Sequence, residues 1–109
     1  MKNDEQPDVE AEVTLLSAEE GGRHKSVSSG YRPQHVVRED YFTTGVHEYL
    51  DCDEVLPGQT AQAKIKFITP EAYPHCLWVG RVIQLQEGNR IVGSAKIVKI
   101  FNPLLEKTG

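Results

Sequence analysis

The sequence predicts a single all-β domain, folded as an antiparallel sandwich or a small barrel. Short segments alternate apolar and polar residues in the pattern of a half-buried strand, and polar turn residues separate them. Apart from a possible turn at residues 17–20, no long window shows the hydrophobic period of a helix. A chain of 109 residues with 39% hydrophobic and 26% charged residues is sufficient for one hydrophobic core.

Six segments carry the strand pattern. The clearest is the first, in which Val9, Ala11, Val13 and Leu15 alternate with mostly polar residues. The predicted strands are residues 9–16, 35–38, 43–50, 61–67, 81–85 and 90–100.

The connections between these strands contain residues typical of loops and turns. Residues 18–31 are rich in glycine and serine, and they are predicted to form an ordered surface loop rather than a tight hairpin. Pro57 and Gly58 predict a turn, because proline fixes φ and glycine adopts positive φ without strain. The segment around Gly88 predicts a hairpin connection of about three to five residues.

The net charge of −4 is unevenly distributed along the chain. Residues 1–20 carry seven acids against one lysine, whereas residues 21–109 carry eleven basic and nine acidic residues. A nucleic-acid partner would therefore have to bind through a local basic patch. The longest apolar run, at residues 76–79, is too short to span a membrane, and residues 1–10 lack the apolar stretch of a signal peptide. We therefore expect a cytoplasmic protein without membrane contact.

The sequence lacks the motif by which P-loop proteins bind nucleotides. Residues 22–26 contain a Lys-Ser pair, but His24 precedes Lys25 where that motif has glycine. The same segment is predicted to connect two strands, whereas a P-loop connects a strand to a helix. We expect neither nucleotide binding nor nucleotide hydrolysis.

Residues typical of catalytic and metal sites show no characteristic spacing. Cys52 and Cys76 stand 24 positions apart without a C-x-x-C motif, so we predict two buried or half-buried free thiols. The sequence contains no G-x-S-x-G motif and identifies no base for a cysteine nucleophile. The four histidines are predicted to be scattered over surface and core; they are His24, His35, His47 and His75. We therefore expect a non-enzymatic protein without metal or cofactor.

One basic segment stands out from the acidic chain. Residues 21–38 contain four cations, two histidines and no acid; the cations are Arg23, Lys25, Arg32 and Arg38. Glycine-rich backbone with arginine and lysine is typical of phosphate contacts. The alternative is a solvated surface loop, because short basic runs are common on protein surfaces.

The motifs of this segment and of the last hairpin resemble a known family. Residues 19–24 read Glu-Glu-Gly-Gly-Arg-His, residues 29–34 read Ser-Gly-Tyr-Arg-Pro-Gln, and residues 87–93 read Glu-Gly-Asn-Arg-Ile-Val-Gly. In this order they resemble the carboxy-terminal domain of elongation factor Tu, and the resemblance covers about residues 9–101.

This resemblance implies a specific fold and domain organisation. The family's domain is a six-stranded antiparallel β-barrel, which here would occupy residues 9–102. A flexible acidic tail at residues 1–8 would precede the barrel, and a short tail at residues 103–109 would follow it.

The resemblance also implies an RNA-binding site. In the family, the Gly-Arg-His loop and the Glu-Gly hairpin turn contact the T-arm backbone of aminoacyl-tRNA. The matching residues here, together with the neighbouring lysine of the basic segment, are Arg23, His24, Lys25, Thr44, Glu87 and Gly88.

A second set of residues matches a segment that in the family lies against the GTPase domain. These residues are Tyr31, Arg32 and Gln34, with Pro33 between them. The alternative for this segment is loop packing by the tyrosine beside a proline-set turn.

The sequence also departs from the family. No GTPase domain or second barrel precedes Val9, so we expect this chain neither to hydrolyse GTP nor to deliver tRNA by itself. Thr69 stands where the family has a tRNA-binding lysine, so RNA binding is expected to be weak. An insertion at residues 71–79 brings Tyr73 and Trp78, which are candidate anchors for a protein partner. The alternative is that Trp78 closes the barrel.

These observations lead to a non-enzymatic binding module with two hypotheses for its partner. The first is tRNA or tRNA-like RNA, bound weakly through Arg23, His24 and Lys25. The second is a translation-related protein, bound by an adapter surface containing Tyr73 and Trp78.

Overall fold

A computed structural model describes residues 6–39 and 41–108. Six antiparallel strands form a closed barrel in the order β1-β6-β4-β3-β7-β8, which confirms the barrel. Two further strands, β2 and β5, form a separate two-stranded sheet. The strands are β1 Val9–Leu15, β2 Val27–Ser28, β3 Gln34–Arg38, β4 Tyr41–Tyr49, β5 Glu54–Val55, β6 Thr60–Phe67, β7 Val82–Glu87 and β8 Arg90–Ile100.

The six barrel strands coincide with the six predicted segments to within two residues at each end. The reason is visible in β1, where every second residue, from Val9 to Leu15, is buried. The predicted loop at residues 18–31 contains β2, whose two residues are too few for an alternating pattern to be recognised.

The first strand closes the barrel by pairing on both sides. Val13 lies opposite Ala61 of β6 and opposite Ala95 of β8. Ala11 and Ala63, a pair one step further along β1 and β6, are also fully buried. Small side chains at these positions leave room in the interior for larger ones such as Phe67, which is 2% exposed.

The helical elements are short. The described residues contain three 3₁₀ turns, at Ala18–Glu20, Pro70–Ala72 and Pro103–Leu105. No helix among the described residues is long and apolar enough to cross a membrane. The first turn confirms the one predicted at residues 17–20. Ser17 accepts a hydrogen bond from the Glu20 backbone at 3.2 Å, and the Glu20 carboxylate accepts one from the Ser17 backbone at 2.9 Å.

Two other turns form at the glycines where the sequence predicted them. Leu56 accepts a backbone hydrogen bond from Gln59 at 3.0 Å, and Gly58 has φ of 89°, as predicted for this turn. The hairpin between β7 and β8 is tighter than predicted, because only Gly88 and Asn89 lie between the paired residues at its ends.

Asp8 belongs to the barrel, so the prediction of a flexible tail through residue 8 is wrong at this position. It is 5% exposed, and its carboxylate accepts hydrogen bonds from the Phe67 backbone at 2.8 Å and from the Asn102 side chain at 2.9 Å. Its backbone carbonyl accepts two more from Phe101 and Asn102. Residues 1–5 of the predicted tail lie outside the described residues.

The predicted short tail at residues 103–109 begins as a packed segment. Leu105 is fully buried, and its carbonyl accepts a hydrogen bond from the Leu77 backbone at 2.9 Å. Lys107 in turn donates its backbone N–H to the Leu77 carbonyl at 2.7 Å. This segment therefore braces the inserted loop at residues 71–79.

The two cysteines differ in exposure. Both are free, but Cys52 is exposed and Cys76 is only partly buried. The prediction of a buried or half-buried thiol is therefore wrong for Cys52, which lies in the connection between β4 and β5.

We predict that Asp8→Asn lowers the free energy of unfolding by about 1 to 3 kcal/mol, measured by urea titration. The amide keeps one acceptor oxygen, so either the Phe67 N–H or the Asn102 amide loses its partner. Glu10→Gln, which changes a partly exposed carboxylate two residues away, is the control. Equal losses in both variants would show that burial of the Asp8 carboxylate contributes nothing specific.

Candidate functional site

Three residues from the two predicted sets meet at one end of β7. The Arg23 guanidinium donates a hydrogen bond to the Glu87 carboxylate and lies 5.3 Å from the centre of the Tyr31 ring. The Tyr31 hydroxyl donates to the same carboxylate oxygen at 2.5 Å. Burial, together with the Glu87 carboxylate, raises the pKa of Tyr31, so the hydroxyl stays protonated and remains a donor.

A further contact fixes the arginine within its loop. The Arg23 Nε donates to the Lys25 carbonyl at 3.2 Å. Carboxylate, carbonyl and aromatic ring together hold the guanidinium in one orientation, and this preorganisation reduces the entropy lost on binding a ligand.

Polar residues on three adjacent strands extend this cluster. Gln34 of β3 lies opposite Thr44 of β4 on one side and opposite Gln86 of β7 on the other. Because neighbouring strands are about 4.8 Å apart, the three residues form a row about 10 Å long that ends beside Glu87. All three are partly exposed.

The other residues of the predicted RNA-binding and GTPase-facing sets are exposed. Gly88 is exposed at the tip of the hairpin with φ of 60°. His24, Lys25 and Arg32 are exposed. We call the surface formed by Arg23, His24, Lys25, Tyr31, Gln34, Thr44, Gln86, Glu87 and Gly88 the loop face.

Two acidic residues from other segments lie close to the basic segment at residues 21–38. The count of charges within that segment did not include them. Glu87 pairs with Arg23, and Glu54 of β5 accepts a hydrogen bond from the Ser26 hydroxyl at 2.7 Å. A groove of about 390 Å³ lies between Arg23 and Tyr31, along residues 26–30. The groove therefore has the Arg23 cation at one side and the Glu54 carboxylate beside Ser26 of its lining.

Two histidines beneath the loop face form a buried chain of hydrogen bonds. His35 and His47 are fully buried, and their Nε2 atoms lie 2.9 Å apart. The His35 Nδ1 is 3.1 Å from the Pro33 carbonyl, which can only accept, so His35 is protonated at Nδ1. Its Nε2 therefore accepts from His47, whose Nδ1 accepts from the Tyr49 hydroxyl at 2.9 Å.

This chain positions the loop that carries Tyr31. The His47 backbone donates to the Tyr31 carbonyl at 2.9 Å, and its own carbonyl accepts from Gly30 at 2.8 Å. Gly45 makes room for the rings, since a Cβ there would lie 2.7 Å from the His35 Cε1. The prediction of scattered histidines is wrong for this pair. Both stand at buried positions of the alternating strand pattern, and that pattern could have been used to predict their burial.

We predict that stability falls as pH is lowered from 7 to 5. Burial lowers the pKa of His35 to about 4 and that of His47 well below its usual range. In the unfolded chain both titrate near about 6.5, so below that pH the unfolded state binds more protons. The expected loss of unfolding free energy is on the order of 2 to 4 kcal/mol by pH 5, measured by urea titration.

Nuclear magnetic resonance of the imidazole nitrogens provides the direct check. His35 is expected as the Nδ1–H tautomer and His47 as the Nε2–H tautomer, both unchanged down to pH 5. A flat stability profile, or titration of either ring near pH 6.5, would contradict the assignment.

The inserted loop presents one of its two predicted anchors. Trp78 is 45% exposed, so it does not close the barrel. Tyr73 is fully buried, and its hydroxyl donates to Thr43 at 3.0 Å. The prediction of Tyr73 as a surface anchor is therefore wrong. It packs in the core against Phe67, with ring centres 6.0 Å apart.

We predict losses of stability of very different size for the two aromatic residues of this loop. Tyr73→Ala empties a core position and is expected to lower the unfolding free energy by about 3 to 5 kcal/mol. Trp78→Ala removes an exposed side chain and is expected to lower it by less than about 1 kcal/mol. Thermal unfolding of the two variants measures the difference, and a large loss for Trp78→Ala would contradict its exposure.

No group of three or more histidine, cysteine, aspartate or glutamate side chains in residues 6–39 and 41–108 is placed to hold a metal ion. What the geometry presents is a closed barrel with a polar row, an oriented arginine and an exposed hairpin tip. These features define one type of small domain, a closed six-stranded antiparallel β-barrel with a polar surface at one end.

Comparison with known families identifies that type. The model of the elongation factor Tu C-terminal domain matches residues 3–101, so the chain belongs to this family. This confirms the resemblance found in the motifs. The domain of this family is a non-catalytic β-barrel.

Proposed function

We propose that this protein is a non-catalytic RNA-binding module of the cytoplasmic translation machinery, and that its loop face binds the sugar-phosphate backbone of tRNA or tRNA-like RNA. The observation that carries the proposal is the oriented guanidinium of Arg23, beside the exposed His24 and Lys25. Membership of a translation-factor family supports it.

The arginine retains donors for a phosphate. Its contacts within the described residues use Nε and Nη1, and the guanidinium has further N–H groups that can donate to phosphate oxygens. Exposed Lys25 adds a second positive charge two residues away. Phosphate contacts of this kind hold a nucleic acid in position and are independent of its sequence.

The polar row provides groups that suit the rest of an RNA backbone. The Thr44 hydroxyl and the Gln34 amide can bond to ribose hydroxyls and phosphate oxygens. Gly88, in the exposed turn, has no side chain that would keep RNA away from its own backbone. The row is about 10 Å long, which limits contact to a few nucleotides.

The proposed binding is weak because carboxylates lie close to the loop face. Glu87 neutralises part of the Arg23 charge, and Glu54 lies beside the groove. The chain as a whole carries a net charge of −4, which repels RNA at long range. Increasing salt should therefore abolish binding readily.

We predict that Arg23→Ala weakens binding of a fluorescently labelled tRNA and lowers the slope of log affinity against log salt by about one. Each phosphate that the protein neutralises contributes roughly one unit to this slope. Lys64→Ala, which removes a cation from β6, is the matched control and should leave both values unchanged. If Arg23→Ala keeps the affinity and slope of the unaltered protein, Arg23 does not contact RNA.

A further inference from the structure

The turn that carries Trp78 has a defined and braced geometry outside the loop face. Arg81 donates its backbone N–H to the Trp78 carbonyl at 3.1 Å, and Gly80 between them has φ of 99°. Trp78 is the only tryptophan of the chain and is 45% exposed. A large aromatic ring is therefore held at the surface by a rigid turn.

Two cations flank this ring. The Arg81 guanidinium carbon and the Lys107 ammonium nitrogen each lie over the Trp78 ring, 5.1 Å from its centroid. Both are within the roughly 6 Å of a cation–π contact, and with both cations in place the side chain is still 45% exposed. The ring keeps exposed surface on which a second planar group can stack.

The Arg81 guanidinium and the Lys107 backbone are each held by a hydrogen bond. The Arg81 Nη1 donates to the Cys76 carbonyl at 2.6 Å, and the Lys107 backbone donates to the Leu77 carbonyl at 2.7 Å. Within residues 6–39 and 41–108, neither side chain forms an ion pair with a carboxylate. Their charge is thus available to an anionic ligand that also contacts the ring.

We propose that Trp78, Arg81 and Lys107 form a second site, which binds an unpaired base of single-stranded RNA. The base stacks on the indole, and the two cations contact the phosphates on either side of that nucleotide. Aromatic rings combined with flanking cations are the usual means of binding single strands without sequence preference. An acidic peptide would meet the cations but would have no planar group to cover the ring.

This site is separate from the loop face. Arg81 directly precedes β7, whereas Glu87 ends it, and a strand of six residues spans about 17 Å. The proposal therefore goes beyond the proposed function and can succeed or fail independently of it.

A labelled 12-nucleotide oligoadenylate tests the proposal. Since Trp78 is the only tryptophan, stacking should quench the intrinsic fluorescence in a saturable way. Trp78→Ala is expected to weaken binding, measured by anisotropy of the label, by roughly 5- to 150-fold. Lys107→Gln should lower the slope of log affinity against log salt by about 0.7, the value for one phosphate of a single strand.

Matched variants separate the possible outcomes. Lys64→Gln should leave oligoadenylate binding unchanged, and thermal unfolding confirms that each variant is folded. Binding that is unaffected by Trp78→Ala, or unquenched fluorescence at saturation, would overturn the proposal. A hexaglutamate peptide that quenches Trp78 as strongly as the oligonucleotide would also overturn it, in favour of an acidic protein partner. Loss of tRNA binding in Arg23→Ala bears only on the loop face.

Discussion

Closure of the barrel through β1 is the constraint on which the rest of the structure depends. Val13 has an alanine partner on each side, Ala61 of β6 and Ala95 of β8, so the strand leaves no unpaired edge. Closure removes the exposed hydrogen-bonding groups that make sheet edges prone to aggregation. It also brings together segments that are distant in sequence. Arg23 and Glu87, 64 residues apart, meet only because β7 and the first loop occupy neighbouring positions around the barrel.

Polar groups inside this barrel are placed so that each has a partner. Within the described residues, no buried side-chain nitrogen or oxygen lacks a hydrogen bond. The chain from Tyr49 through His47 and His35 to Pro33 is directional, because each ring nitrogen has only one role. Such a chain is compatible with one arrangement of the two strands, β3 and β4, and of the loop that it connects, so it specifies the position of the loop face. That specificity is lost when an imidazole gains a proton.

The alternating pattern was sufficient to predict the six barrel strands, because burial alternates over most of their length; the alternation is interrupted in β8, where adjacent Val92 and Gly93 are both buried. The family motifs predicted Arg23, Glu87 and Tyr31 as site residues of one domain. They could not predict that Arg23 and Tyr31 both donate to the Glu87 carboxylate, because that contact depends on the order of the strands in the barrel. Burial of Asp8 and Tyr73 was missed, because one looked like part of an acidic tail and the other like part of an inserted loop. In both cases distant partners bury the residue, and a local pattern contains no information about them.

The carboxylate of Asp8 also determines the order in which the molecule can assemble. Its contact with Asn102 joins residues 94 positions apart, and its contact with Phe67 joins residues 59 apart. The entropy of closing such loops has to be overcome before either contact contributes, so these bonds form late. During synthesis, β1 emerges before the other barrel strands; it has no partner until β6 follows, and its other edge stays unpaired until β8 follows. The barrel therefore closes on its earliest strand last, and until then one edge of β1 stays open to other chains.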